Sequence, residues 1–245
     1  MEFPSVEDSM KFINHGIKLA DEFVAKSYTS LASNPYLYHY RHDKSVTEAI
    51  VTKGKFWATH AAHMSDETEL KYGANLVKSI VDEFVALNPD MPSDAKEFLE
   101  MAGLHANPYS NEFTGEVDPY FVCFSESGAI ESQWEQYAGS STGYCIEFAL
   151  PEAYTDPRSE ETLALSRSNF LFLKVIYDPA EQRRLVIEAI QDFLTLLSAH
   201  LNKYGLGAMG CGMSASIGLY YLLCYYVMSF KSPDFIKEQE WRCVY

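Results

Sequence analysis

Apolar residues recur along this chain with two different periods. Met10, Ile13, Ile17, Ala20 and Val24 stand three to four apart, the spacing that lines one face of a helix. Ser5 precedes Asp8 by three residues as in a capping box, so an amphipathic helix is predicted to open the chain and run to about Leu31. After the Asn34-Pro35 break, YLYHY reads as a short aromatic strand. Ser45 with Glu48 then starts a second short helix, and Gly54 ends it. KFWATH (55–60) resumes as a strand. Leu70, Ala74, Val77, Val81 and Phe84 trace a helical stripe over 66–87, closed by Pro89 and Pro92 ahead of a shorter helix near 95–102. The middle of the chain favours strands, with YFVCFS (120–125), YCIEFAL (144–150) and FLFLKVIY (170–177), interrupted by a short helix over 130–138 and a turn at Gly139–Gly143. Ile187, Ile190, Leu194 and Leu197 predict a helix over 179–201. A glycine-rich loop, YGLGAMGCGMSAS (204–216), an apolar helix over 217–230 and a closing strand, EQEWRCVY (238–245), complete the series. Repeats, low-complexity runs and long linkers are absent. The expected fold class is α+β, a single domain over 35–245 with flanking helices, preceded by a helical extension over 1–34.

Composition changes this picture in three places. Residues 204–230 carry no charge, which on length alone would cross a bilayer, but the glycine- and serine-rich first part leaves only 217–230 strongly apolar. That remainder suits a buried core helix, so no membrane partner is expected. The 245 residues carry 19 Lys plus Arg against 34 Asp plus Glu, a formal charge of -15. This excess repels phosphate backbones and disfavours a general nucleic-acid-coating function, while leaving room for a local basic groove. Five cysteines, none in a CxxC pair and most inside apolar runs, read as reduced and structural; with an N-terminus lacking secretory features they point to a cytoplasmic protein.

Candidate chemistry gathers in the closing FIKEQEWRCVY. If EQEWRCVY is one strand, Glu238 and Glu240 project from the same face, and two adjacent carboxylates repel unless a cation, proton or substrate separates them. Protection of an exposed strand edge by charge explains the same spacing. Arg242 would neutralise a nearby carboxylate. His60 and His63 with Asp66 and Glu69 would share one face of a helix, yet KFWATH is extended and Ser65-Asp66 is a helix start, so no metal site is expected. No GxSxG, P-loop or GxGxxG is present, and GLGAMGCG follows a helix instead of a strand.

The order of several short motifs resembles that of a bacterial family of uncharacterised domains: LYHY, G-K-hydrophobic-W, N-D-x-x-E, CFS, W-x-x-Y, G-x-C-I-x-F and F-K-x-P-x-F-x-x-E-x-E-W-R. Here they are Leu37 to Tyr40; Gly54, Lys55, Phe56 and Trp57; Asp66 and Glu69, with Ser65 in place of Asn; Cys123 to Ser125; Trp134 and Tyr137; Gly143, Cys145, Ile146 and Phe148; and Phe230 to Arg242. That family in turn resembles the ADP-ribosyltransferase fold. The resemblance implies a split, mixed or antiparallel sheet core and NAD bound as a substrate. It further implies that His39 binds the adenosine-side ribose, Ser125 braces the catalytic carboxylate, Glu240 holds the nicotinamide ribose 2'-hydroxyl and Glu238 takes a proton from the acceptor. Tyr40, Trp57 and Tyr137 are the candidates to stack on nicotinamide. A carboxylate fixed beside the sugar stabilises the charge that develops as nicotinamide leaves.

The implied function is an NAD-dependent mono-ADP-ribosyltransferase, a toxin or anti-phage effector. Its partners would be NAD, a protein or nucleic-acid acceptor, and an antitoxin or other partner protein. Two alternatives from other classes stand beside it: a non-catalytic nucleotide-binding sensor of a defence system, and a protein-interaction module. Read without the resemblance, His39 is a packed strand residue, Ser125 a helix cap, and Trp134 with Tyr137 a core pair.

Overall fold

Residues 5–64, 69–106, 119–139, 142–150, 171–204 and 209–245 are described by the computed structural model. They form an α+β protein with an antiparallel sheet. The chain divides into two units, each made of three separate segments: a helical unit from Met1–Glu22, Thr68–Val117 and Asp178–Lys231, and a sheet unit from Phe23–Glu67, Asp118–Tyr177 and Ser232–Tyr245.

Helix α1 (Val6–Ser33) contributes to both units. Its start is the expected capping box: the Ser5 amide donates to Asp8 Oδ2, and the Asp8 amide donates to Ser5 Oγ, each at 3.1 Å. The helical unit adds α3 (Glu69–Leu87), α4 (Ser93–His105), α6 (Pro179–Tyr204) and α7 (Met209–Ser229). The reading of 204–216 as a loop is corrected from Met209 on, where α7 begins, while 205–208 lie outside the described residues. A Cβ at Gly218 would overlap the Phe12 carbonyl of α1, and one at Gly16 would overlap the Gly218 carbonyl. Glycine at both positions lets the two backbones meet. Among the described residues no helix is long and apolar enough to cross a membrane. Phe12, Leu99, Val186, Phe193, Leu219 and Leu223 are fully buried in this unit.

The sheet unit holds β1 (Tyr36–Arg41), β2 (Thr59–His60), β3 (Tyr120–Ser125), β4 (Tyr144–Ala149), β5 (Leu171–Lys174) and β6 (Glu240–Val244). Strand order is β4-β1-β3-β6-β5, with β2 pairing to β3 off this path, and every pairing is antiparallel. Helix α2 (Lys44–Lys53) follows β1. Its N-cap is Asp43, whose side chain accepts from the Ser45 and Val46 amides, so the Ser45 start is displaced by two residues. Gly54 closes it in the left-handed region at φ 61, as its sequence position implies. KFWATH forms a strand only at Thr59–His60. Helix α5 (Glu131–Tyr137) packs beside β1. The C-terminal half of α1 flanks β5, where the Lys174 amide donates to Ser27 Oγ and the Phe172 amide to Tyr28 Oη.

Candidate functional site

Side chains of a strand alternate between faces, and directly paired residues of neighbouring strands share one. The register pairs Tyr38 with Ser125 and Ser125 with Glu240. These three residues, from β1, β3 and β6, therefore form a row on one face of the sheet, although 202 positions separate the first from the last by their numbers (240 minus 38). Cys123 pairs with Arg242 on the same face. The Arg242 Nε donates to Glu240 Oε1 at 3.0 Å, with side-chain exposures of 1% and 6%. Taking two such charges out of water is costly, and their pairing at hydrogen-bond distance offsets that cost. The Arg242 guanidinium also lies 5.7 Å from the ring centroid of Phe121. The Glu240 amide donates to the Tyr177 hydroxyl at 2.9 Å.

Glu238 is not on the strand. It ends a 3-10 turn, Pro233–Glu238, and Gln239 follows it in the left-handed region at φ 48, so the expected side-by-side carboxylates of one strand face are corrected. The physical reason lies in Gln239: a left-handed residue interrupts the extended alternation that the spacing argument required. The Glu238 side chain is buried, and its carbonyl accepts from Ser125 Oγ at 2.5 Å. Ser125 thus braces the backbone leading into Glu240.

His39 belongs to the opposite face. Its ring is 5.5 Å from Phe124, the neighbour of Ser125 on β3, and 5.7 Å from Phe56, with Phe148 and Phe172 extending the cluster. Its Nδ1 lies 2.8 Å from the Cys123 carbonyl, which only accepts, so Nδ1 carries the proton and Nε2 of the neutral ring keeps its lone pair. Burial drives its pKa down to about 4, with the Arg41 charge adding to the shift. The expected meeting of His39, Ser125 and Glu240 in one cleft is corrected: Ser125 and Glu240 meet, while one residue of strand parity turns His39 away.

The aromatic candidates differ in what they can offer. Tyr40 is buried edge-on against Trp134, donates its hydroxyl proton to the Ser127 carbonyl and accepts from the Ile130 amide, so its ring packs α5 to β1. Tyr137 is half-buried on α5, and its hydroxyl accepts from Gln136 Nε2. Trp57 is 78% exposed in the segment after α2, flanked by exposed Lys53 and Lys55. Phe56, between Lys55 and Trp57, ties that segment to His39 and Phe148. His60 and His63 have ring centroids 5.6 Å apart; Asp66 lies outside the described residues, as does the Glu69 side chain. Among the described residues no group of three or more His, Cys, Asp or Glu could hold a metal.

Two residues were missed from sequence. Tyr177 supplies the hydroxyl beneath the Glu240 amide, and nothing local marks it. Arg41, two residues after His39 and so on the same face of β1, has a buried Nε with no hydrogen-bond partner. The signal available was the continuation of YHY into YHYR.

No curated protein and no solved structure matches the chain. A family model described as a protein of unknown function (DUF2971) matches residues 133–243. The matched segment contains the Trp134/Tyr137, Gly143-to-Phe148 and Phe230-to-Arg242 positions, while Leu37 to Tyr40 and Cys123 to Ser125 lie before it. Over that segment, the chain is similar to an uncharacterised-domain family.

Proposed function

We propose that this chain is a non-catalytic nucleotide-binding module, a sensor that recognises NAD or a related nucleotide without consuming it. One observation carries the reading: His39 and Glu240 stand on opposite faces of the sheet, and Glu240 is already held by the buried guanidinium of Arg242. A carboxylate that must lie against a sugar as its base departs needs access to that sugar. The residues suited to binding lie away from it. Trp57 exposes a broad aromatic surface able to stack on a base, and the segment carrying it is fixed to the His39 face through Phe56.

A second reading is an NAD-consuming mono-ADP-ribosyltransferase acting as a toxin or anti-phage effector on a protein or nucleic-acid acceptor. It is favoured by the Tyr38-Ser125-Glu240 row, which brings three of the ordered motifs onto three adjacent strands. In that reading Glu240 holds the nicotinamide ribose.

One experiment separates the two. The purified chain is mixed with NAD, and both thermal stability and nicotinamide release are followed. The sensor reading expects a rise in melting temperature that saturates with NAD, equivalent to about 2.7 kcal/mol at a hundredfold excess over Kd, with no nicotinamide. Nicotinamide release that disappears in a folded Glu240→Gln chain would replace it with the enzyme. Absence of any stabilisation or turnover would overturn both.

A further inference from the structure

The two outer strands of the sheet present their edges differently. At β5, side chains of α1 meet the outward backbone: the Phe172 amide donates to Tyr28 Oη at 3.4 Å and the Lys174 amide to Ser27 Oγ at 3.3 Å. At β4 the direction of each group follows from the ladder. The Leu150 amide donates to the Pro35 carbonyl at 2.8 Å, so Tyr144, Ile146 and Phe148, in step with Leu150, bond β1. Cys145, Glu147 and Ala149 turn their N–H and C=O groups away from it. Among the described residues none of these outward groups takes part in a backbone hydrogen bond.

An unpaired edge recruits further strands unless it is bulged, covered, or armed with Lys or Pro. β4 pairs with β1 residue for residue along its whole length, without a bulge, and its sequence, YCIEFA, holds no proline and a single charge. That charge is Glu147, whose Oε2 accepts from the Tyr38 hydroxyl of β1 at 2.8 Å. Glu147 and Ala149 are exposed, while Ile146 and Phe148, on the opposite face, are half-buried. A strand added here gains main-chain bonds along the edge and covers the remaining apolar surface of Ile146 and Phe148.

Charge selects the occupant. On the Glu147 face of β1 and β4 the other paired residues are Tyr36, Tyr38, Tyr40, Cys145 and Ala149, so Glu147 is the sole formal charge of that face of the two strands. The chain as a whole carries -15. A residue set directly opposite Glu147 is therefore most favourable as Lys or Arg, and its neighbours, which fall on the face of Ile146 and Phe148, are most favourable as apolar residues. A second copy fits less well. It brings the same charge of -15, and the symmetric antiparallel register centred on Glu147 sets that carboxylate against its own counterpart.

We propose that the outer edge of β4 docks an extended segment of a partner protein, in which apolar residues alternate with Lys or Arg, by strand addition. Docking of this kind needs no nucleotide, and it is tested apart from the nucleotide reading.

The test uses the full chain and follows the fluorescence anisotropy of an end-capped, labelled peptide of alternating Val and Lys. Three comparisons accompany it: a Val-Glu peptide of the same length, the Val-Lys peptide with its backbone amides methylated, and the Ala149→Pro chain. Ala149→Pro removes an outward N–H and no bond to β1; methylation removes the peptide's donors while keeping its charge. Expected is saturable binding of the Val-Lys peptide, weakened roughly tenfold or more in each of the three comparisons. Equal affinity for wild type and a folded Ala149→Pro chain overturns the edge as the site, and equal affinity for the methylated peptide overturns strand addition. Equal affinity for the Val-Glu peptide overturns the basic partner, as does absence of binding. A dimer in sedimentation velocity that is lost in Ala149→Pro replaces the partner segment with a second copy. Circular dichroism checks the fold of Ala149→Pro, and the methylated peptide tests the same bonds on wild type should that variant unfold.

Discussion

His39 and the Glu240–Arg242 pair are two solutions to the same difficulty, a polar group where water is scarce. His39 solves it by remaining neutral. Its folded pKa, about 4, lies below the ordinary value of 6.5, so between those limits the unfolded chain binds more protons than the folded one. Stability therefore rises with pH across that window, is fully present above about 6.5 and is lost as the pH falls towards 4, with a span on the order of 3 kcal/mol. Urea melts of wild type and His39→Gln at pH 7 and pH 4.5 check this: the stability difference between the two proteins should favour wild type more at pH 7 than at pH 4.5. A constant difference would remove His39 as the titrating group. Glu240 and Arg242 solve the difficulty by pairing. Glu240→Ala should destabilise the fold by roughly 3–5 kcal/mol, because it removes a carboxylate that pairs with the buried Arg242 guanidinium. The double change Glu240→Leu with Arg242→Met should cost less than Glu240→Ala alone in the same melts. If both chains melt with wild type, the pair is not buried as described.

At the scale of elements, local signals were read well and non-local ones were not. The Ser5–Asp8 box, the helix stop at Gly54 and the aromatic run YLYHY each depend on residues within a turn of one another, and each element formed. The last strand illustrates the limit. Gln239 takes a left-handed conformation with no glycine to announce it, so EQEWRCVY read as one strand, and two glutamates were placed on a face that only one of them occupies. The facing of His39 was illegible for a different reason. Parity within β1 is local, but whether it matches the parity of β6 depends on two ladders, β1 with β3 and β3 with β6, joined by residues more than 80 positions apart. The start of α7 was hidden because its glycines and serines look like a loop, although the helix runs through Gly212 with open space around it. Gly16 and Gly218, outside that stretch, instead admit a neighbouring backbone. That role predicts a cost: Gly16→Ala should destabilise the chain by about 1–3 kcal/mol through overpacking against the Gly218 carbonyl. Gly54→Asn, at a left-handed position with open space around it, should cost well under that, since Asn tolerates the conformation. Equal losses in thermal melts would remove the close crossing as the cause.

On the scale of the whole molecule, chain order and spatial order diverge, and this bears on which fragment can stand alone. The family match at residues 133–243 contains β4, β5 and most of β6, but the sheet runs β4-β1-β3-β6-β5. Both strands that join β4 to β6 come from before residue 133. A fragment limited to the matched segment would leave β4 with no partner among the described strands and would strip β6 of β3, exposing unpaired backbone that a marginally stable domain cannot tolerate. The division at residue 34 meets a similar objection. Phe23, Val24, Tyr28 and Leu31 of α1 are buried, and Ser27 and Tyr28 accept from the outer strand β5, so a chain beginning at residue 35 loses part of the sheet unit's core along with the helix. We therefore expect both 35–245 and 133–243 to lack a cooperative urea transition, whereas residues 1–245 show one. A cooperative transition in 35–245 would establish the first helix as a dispensable extension, and one in 133–243 would mean that β4 and β6 can fold without the strands that join them here.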